Sequence, residues 1–347
     1  MTTAEAWWKR GARTAAVAAL VGLGAGSGIR AGAEDAPKVS ERAQAVHAAG
    51  MLFDGHNDFP WLMRTENDLG LSKFDFAGRV EAGQTDIPRL RKGGVKAQFW
   101  SVYIPSDQPS PTKTVVEQID FVHRLVEKYP EDLALALTAD QVVEAVRAGK
   151  IASLIGIEGG VAIDDSFAEL RAFYRLGARY MTLTHNKTLD WADAATGERK
   201  HGGLSPFGER VVAEMNRLGM LVDISHVSAE TMSDVLRVSK APVIASHSSA
   251  FALCPVPRNV PDDILAGLKD NGGVVMVNFY SAFLVPDANK KAREAKEPIR
   301  RAHADRAERK KALDDWFRNE PGAIRGTVAT VVDHIDHIVK VAGIDHV

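Results

Sequence analysis

The chain has 347 residues, 45% apolar and 25% charged, enough to bury a sizeable core in one large domain or two modest ones. A formal net charge of -2 leaves no basic excess to meet phosphates, which argues against a nucleic-acid binder. The single cysteine, Cys254, excludes an intrachain disulfide framework and a cysteine-based zinc cluster, so any metal site must draw on His, Asp and Glu.

The N-terminus reads as a targeting segment. Lys9, Arg10 and Arg13 precede the apolar, small-residue run TAAVAALVGLGAGSG, and AGA at residues 31–33 offers a small-residue cleavage site. The run is too short and too rich in glycine for a convincing transmembrane span. Residues 1–33 are therefore expected to be a signal peptide or leader, with an exported product (periplasmic, secreted or membrane-associated through this segment).

After residue 40, short apolar runs alternate with helical periodicity. The runs cover residues 51–58, 94–104, 151–160, 178–186, 219–228, 241–249 and 272–280. Near-continuous apolar strands separated by helices indicate a parallel sheet buried on both faces. TVVEQIDFVHRLVEKYP has apolar residues at helical spacing and stops at Pro130. SPFGERVVAEMNRLG carries Ser205 as cap, Pro206 at the first helical position and Gly219 at the end. A helix starting after Ser228 stops before Pro242. Seven strands in this rhythm predict an α/β fold, a (β/α)8 TIM barrel, and no Gly-x-Gly-x-x-Gly follows the first strand to suggest a dinucleotide site. Residues 287–320 are densely charged with both signs and read as a solvated helical insertion in a barrel domain spanning 34–347. A last helix, 324–343, leads into IDHV, where an eighth strand is expected to begin, so the barrel reads as truncated before strand eight.

The chemistry-bearing residues fall at the predicted strand ends. His56 and Asp58 end the first run, Glu158 the third, His185 the fourth, His226 the fifth and His247 the sixth. In a (β/α)8 barrel these C-terminal ends share the rim on which active sites are built. Two residues apart on an extended strand, His56 and Asp58 point the same way. Imidazole and carboxylate suit zinc and related divalent ions. His56, Asp58, Glu158, His226 and His247 make five ligands, too many for one catalytic zinc. They suit two ions roughly 3.5–4 Å apart with a carboxylate between them, holding a hydroxide that attacks a carbonyl. His185 is open at this point between a sixth ligand, a substrate donor and a structural residue. Arg258, in the loop CPVPRNVPDD, is a natural fork for a substrate carboxylate. His123, His201, His303, His334 and His337 lie on predicted helices or loops and read as surface or structural residues.

The motifs DGHNDFP, GIEGG, YMTLTHN, GLSPFGERVVAEMNRLGMLVDISHVS, PVIASHSSA and RNVPDD, in this order, resemble the membrane dipeptidase (renal dipeptidase) family of zinc peptidases from about residue 45 to 347. The resemblance implies an amidohydrolase-type barrel with two zinc ions that hydrolyses dipeptides, often with a D-residue at the C-terminal position. It implies His56 and Asp58 on one zinc, His226 and His247 on the other, and Glu158 bridging. It implies His185 as the histidine that contacts substrate and stabilises the oxyanion, and Arg258 as the holder of the dipeptide carboxylate. Similar proteins are commonly homodimers. The family also carries an acid/base aspartate in a DFDG-like motif on strand eight, which no position here matches. The expectation for this polypeptide is therefore an impaired fragment. The alternatives are another metal-dependent amidohydrolase, acting on a lactone, acyl-amino acid or phosphoester, and a non-catalytic metal-binding relative.

Overall fold

The computed structural model describes residues 39–347 apart from 73, 82 and 320–324. The leader expected over residues 1–33 lies outside the described residues. Helix α1 (Glu41–Ala49), capped by the Ser40 side chain, leads into strand β1 (Leu52–Asn57). Helices α2 (Phe59–Asn67) and α3 (Ile87–Lys92) precede β2 (Val95–Tyr103). Helix α4 (Pro111–Lys128), the short strand β3 (Leu133–Leu135) and α5 (Ala139–Arg147) lead to β4 (Ile151–Glu158), which is buried along its whole length.

From there strand and helix alternate strictly: α6 (Phe167–Arg175), β5 (Ala178–Thr182), α7 (Pro206–Leu218), β6 (Leu221–Asp223), α8 (Ala229–Val238), β7 (Ile244–Ser248), α9 (Asp262–Asn271) and β8 (Val274–Val277). The chain continues through α10 (Ser281–Leu284), the charged helices α11 (Ala288–Ala302) and α12 (Arg306–Asn319), and α13 (Val328–Val341).

The strands pair in parallel in the order β1-β2-β4-β5-β6-β7-β8, a barrel wall with helices outside. Strand β3 stands off this path. It pairs with β4 at residues 151–153, on the edge that β5 takes over from residue 155. Seven apolar runs in the sequence thus correspond to seven wall strands, and the eighth strand of the sheet is β3, whose three residues are too few to give a periodic signal. The run expected as the seventh strand is β8. Among the described residues β1 pairs only with β2 and β8 only with β7, which leaves a seam between them. Strand β1 nevertheless lies close to β7: a Cβ on Gly55 would fall 2.5 Å from the Ser246 carbonyl oxygen.

Two strands end earlier than expected. β5 stops at Thr182 and β6 at Asp223, so His185 and His226 sit in loops three residues past their strands. His226 adopts the left-handed conformation, φ 68°. The helix ends follow the sequence reading. Ser205 and Ser228 accept from the Gly208 and Thr231 amides, and Gly219 closes α7 with φ 81°. No described helix is long and apolar enough to cross a membrane.

Candidate metal centre

Glu158, the last residue of β4, is 4% exposed and turns its carboxylate into the rim. Four imidazoles face it. Its Oε2 lies 3.5 Å from His56 Nε2, while its Oε1 lies 2.9 Å from His226 Nε2, 3.4 Å from His247 Nε2 and 3.8 Å from His185 Nε2. His226 and His247 meet Nε2 to Nε2 at 2.9 Å, and the rings of His56 and His247 lie 3.8 Å apart. Two groups are close enough to share a cation, His56 with Glu158 and His247, and His185 with Glu158 and His226. Spacing alone leaves His185 open among three roles; the structure places it inside the cluster.

Asp58 behaves differently from the extended-strand expectation. β1 ends at Asn57 and Asp58 is the N-cap of α2, with φ -77° and ψ 20°. Its side chain is 59% exposed, and its Oδ1 reaches 3.3 Å from His56 Nε2 at the outer side of the cluster. Arg258, by contrast, is only 4% exposed. Its Nη2 donates to the His247 carbonyl at 3.4 Å and its guanidinium lies 5.0 Å over the Phe283 ring, while Nε and Nη1 have no partner. A buried guanidinium with two unpartnered nitrogens, near Glu158 and Asp223 but in direct contact with no carboxylate, is a costly arrangement that an anionic ligand would relieve.

Burial and neighbouring charge divide the protonation states. Burial pushes the Glu158 carboxyl up, but the positive charge of His56 and the close imidazoles of His226, His247 and His56 hold it well below the usual carboxylate range. Burial pushes His226 and His247 down to about 3, aided by Arg258 for the first and by His56 for the second. Burial lowers His185 as well. Burial also disfavours charge on His56, yet Glu158 and Asp58 more than offset it and raise its pKa well above the usual value. Three imidazoles kept neutral, a fourth whose extra proton a cation would displace, and an ionised carboxylate make a donor set that suits zinc and similar divalent ions. The buried His226 Nδ1 has no partner, an orphaned polar atom beside the cluster. The residues fit a metal.

Behind the cluster stand side chains that spacing had not singled out. Tyr180 on β5 reaches His56 Nδ1 at 3.1 Å and donates to the Gly55 carbonyl at 3.2 Å. Ser246 lies 2.8 Å from His247 Nδ1 and donates to Asp223 at 2.6 Å. Tyr103, at the end of β2, meets the His185 ring edge-on at 4.7 Å, and burial with the nearby carboxylates pushes its hydroxyl up to about 12. The one legible sign of this layer was Asp223, a carboxylate inside the apolar run GMLVDISHVS. Of the histidines set aside in the sequence, His334 is buried and structural: its Nδ1 accepts from the Ala250 amide and its Nε2 donates to the Leu284 carbonyl.

A parallel barrel whose rim gathers imidazoles around a buried glutamate is the architecture of barrel metallohydrolases. Comparison narrows the class. The family model of membrane dipeptidases (Peptidase family M19) matches residues 40–347, and the chain belongs to that family. It is 41% identical over 331 residues to an uncharacterized dipeptidase of Schizosaccharomyces pombe, covering 90% of this chain and 71% of that protein. In fold it resembles the probable dipeptidase PvdM of Pseudomonas aeruginosa, with TM-score 0.72, 22% identity, and 88% and 84% of the two chains covered. It also resembles a metallo peptidase of Rhodobacter sphaeroides liganded with a phosphinate mimic of the dipeptide L-Ala-D-Ala, with TM-score 0.65, 23% identity, and 85% and 84% covered.

Proposed function

We propose that the chain is a metallo-dipeptidase that holds two divalent ions, zinc the expected species, on His56, Asp58, Glu158, His226 and His247. The observation that carries this reading is the convergence of four imidazoles on the two oxygens of Glu158. Distances alone pair His247 with His56 and His185 with His226. The division into His56 with Asp58 and His226 with His247, Glu158 serving both, rests on the family resemblance. Metal bound there supplies positive charge that polarises a peptide carbonyl and acidifies a water.

The protein's own groups do the rest. Arg258 offers Nε and Nη1 to the C-terminal carboxylate of a dipeptide, fixing its register on the rim. His185, kept neutral by burial and 3.8 Å from Glu158 Oε1, donates to the developing oxyanion. The phosphinate mimic of L-Ala-D-Ala bound by the Rhodobacter sphaeroides peptidase makes L-Ala-D-Ala the substrate to try first.

The test is release of free alanine from L-Ala-D-Ala by the purified full chain. Slow turnover abolished by a chelator and restored by zinc is the expected result, slow because no position here matches the acid/base aspartate that the family resemblance implies. Turnover indifferent to chelation would remove the metal from the reading, and no turnover with zinc present would remove the dipeptidase.

A further inference from the structure

The outer hydrogen bonds of the cluster bear on which ring nitrogen of His247 carries a proton. Asp223, on β6, is fully buried. Its Oδ1 accepts from the backbone amides of Ser225 at 3.0 Å and Ser246 at 2.9 Å, and its Oδ2 from the hydroxyls of Thr182 at 2.5 Å and Ser246 at 2.6 Å. Four donors converge on this carboxylate from β5, from β7 and from the loop after β6, so it acts as an acceptor only. The single hydroxyl proton of Ser246 is thereby committed to Asp223. The 2.8 Å contact between Ser246 Oγ and His247 Nδ1 then has one consistent sense, the ring donating and the hydroxyl accepting. With Nδ1 protonated, the lone pair of neutral His247 is on Nε2, the atom that faces Glu158 and His226.

Tyr180 repeats the logic on His56. Its hydroxyl donates to the Gly55 carbonyl, so at 3.1 Å it accepts from His56 Nδ1 and leaves Nε2 toward Glu158. The Tyr180 ring reaches His56 only because it lies across β4 at Gly156, where a Cβ would overlap the ring. His226 has no such support, since its Nδ1 is buried without a partner.

We propose that Asp223 and Ser246 are positioning residues that hold His247 as the Nδ1–H tautomer and so aim its Nε2 lone pair at the metal site; the inference rests on the metallo-dipeptidase reading above. Neither residue touches substrate. Their effect passes through the imidazole, as outer partners of metal-ligating histidines act generally.

The exchange Asp223→Asn makes the sharpest test because it reverses the chain. Asn keeps a carbonyl for the two amides and turns its NH2 toward Ser246, whose hydroxyl must then donate to His247 Nδ1. The proton moves to Nε2, the wrong tautomer for a ligand, as is known to follow from an Asp→Asn change behind a catalytic histidine. The readout is the 15N spectrum of the histidine side chains in metal-free full chain, with His247 assigned through a His247→Gln variant, followed by zinc titration. Expected are Nδ1–H in the wild type, Nε2–H in Asp223→Asn, and zinc affinity lower by about 10- to 100-fold in the variant. A ring that stays Nδ1–H in Asp223→Asn would overturn the inference whatever the affinity. Should that variant not fold, Ser246→Ala serves. It removes the acceptor, so His247 is expected to lose its Nδ1–H preference with weakened zinc binding, and an unchanged tautomer would overturn the inference equally. A wild type that takes up no zinc sinks the metal reading instead, and leaves the tautomer result standing.

Discussion

Glu158 spends one oxygen on His56 and the other on three further imidazoles. This explains how a carboxylate that is 4% exposed stays ionised without a lysine or arginine in contact. The residues of this cluster were legible because each terminates an apolar run, where a polar side chain has few reasons to be buried. Their partners were harder to see. Tyr180, Ser246 and Thr182 look like ordinary strand residues, and their importance comes from which strands the fold makes neighbours. Asp58 lies past the extended strand the spacing predicts, as the cap of a helix, yet it still reaches the His56 ring. Arg258 reads from the sequence as a loop residue able to fork a carboxylate, and the structure adds that it is buried with two unpartnered nitrogens. Arg258→Met keeps the apolar stem and removes the fork. With a dipeptide substrate KM is expected to rise about 10- to 100-fold, the range lost with hydrogen bonds to a charged group, and kcat to change less. Initial-rate kinetics decide it; an unchanged KM would place the substrate carboxylate elsewhere.

Two elements set the platform. Strands β4 and β5 pair Gly156 with Tyr180, and the ring occupies the space a side chain would take. Gly156→Ala should displace the ring, unlink it from His56, and destabilise the barrel by roughly 1–3 kcal/mol, as overpacked cores do. Denaturant unfolding measures the cost, and an unperturbed midpoint would mean that the ring relaxes freely. On the outside, helices α6 and α7 are joined through Glu214, which meets Arg171 at 2.9 Å and Arg217 at 2.7 Å. The hydrogen bond from Arg217, with that from Arg171, holds its carboxyl at about 2 against an ordinary 4.5. A pKa depressed on folding stabilises above the unfolded value and is lost as pH falls toward the folded one. Glu214→Gln should therefore lower Tm at pH 7, with a deficit that shrinks between about pH 4.5 and pH 2. A deficit constant across that range would show that charge is not involved. Helix limits such as Ser205, Pro206 and Gly219 were readable because caps and breakers act locally; β3 was not, since its place beside β4 is decided by the sheet and not by its own three residues.

For the molecule as a whole, alternation of strand and helix announced the parallel barrel, and the structure and the family match both bear that out. What alternation does not encode is how the strands share edges: the fork of β3 and β5 on β4, and the seam between β1 and β8, depend on register. The barrel brings together the cluster residues from β1, β4 and β7 and from the loops after β5 and β6. Metal binding should therefore stabilise the whole fold and not one loop. At free zinc 100-fold above Kd the gain is about 2.7 kcal/mol per site, enough to raise Tm on the order of 5 °C.

The most direct measurement is calorimetric titration of zinc into the metal-free full chain, wild type beside Glu158→Gln. Two equivalents in the wild type and at most one weak equivalent in the variant are expected, because Glu158 serves both positions. Absence of saturable binding in the wild type, or a stoichiometry untouched by Glu158→Gln, would contradict a two-metal centre built on this glutamate.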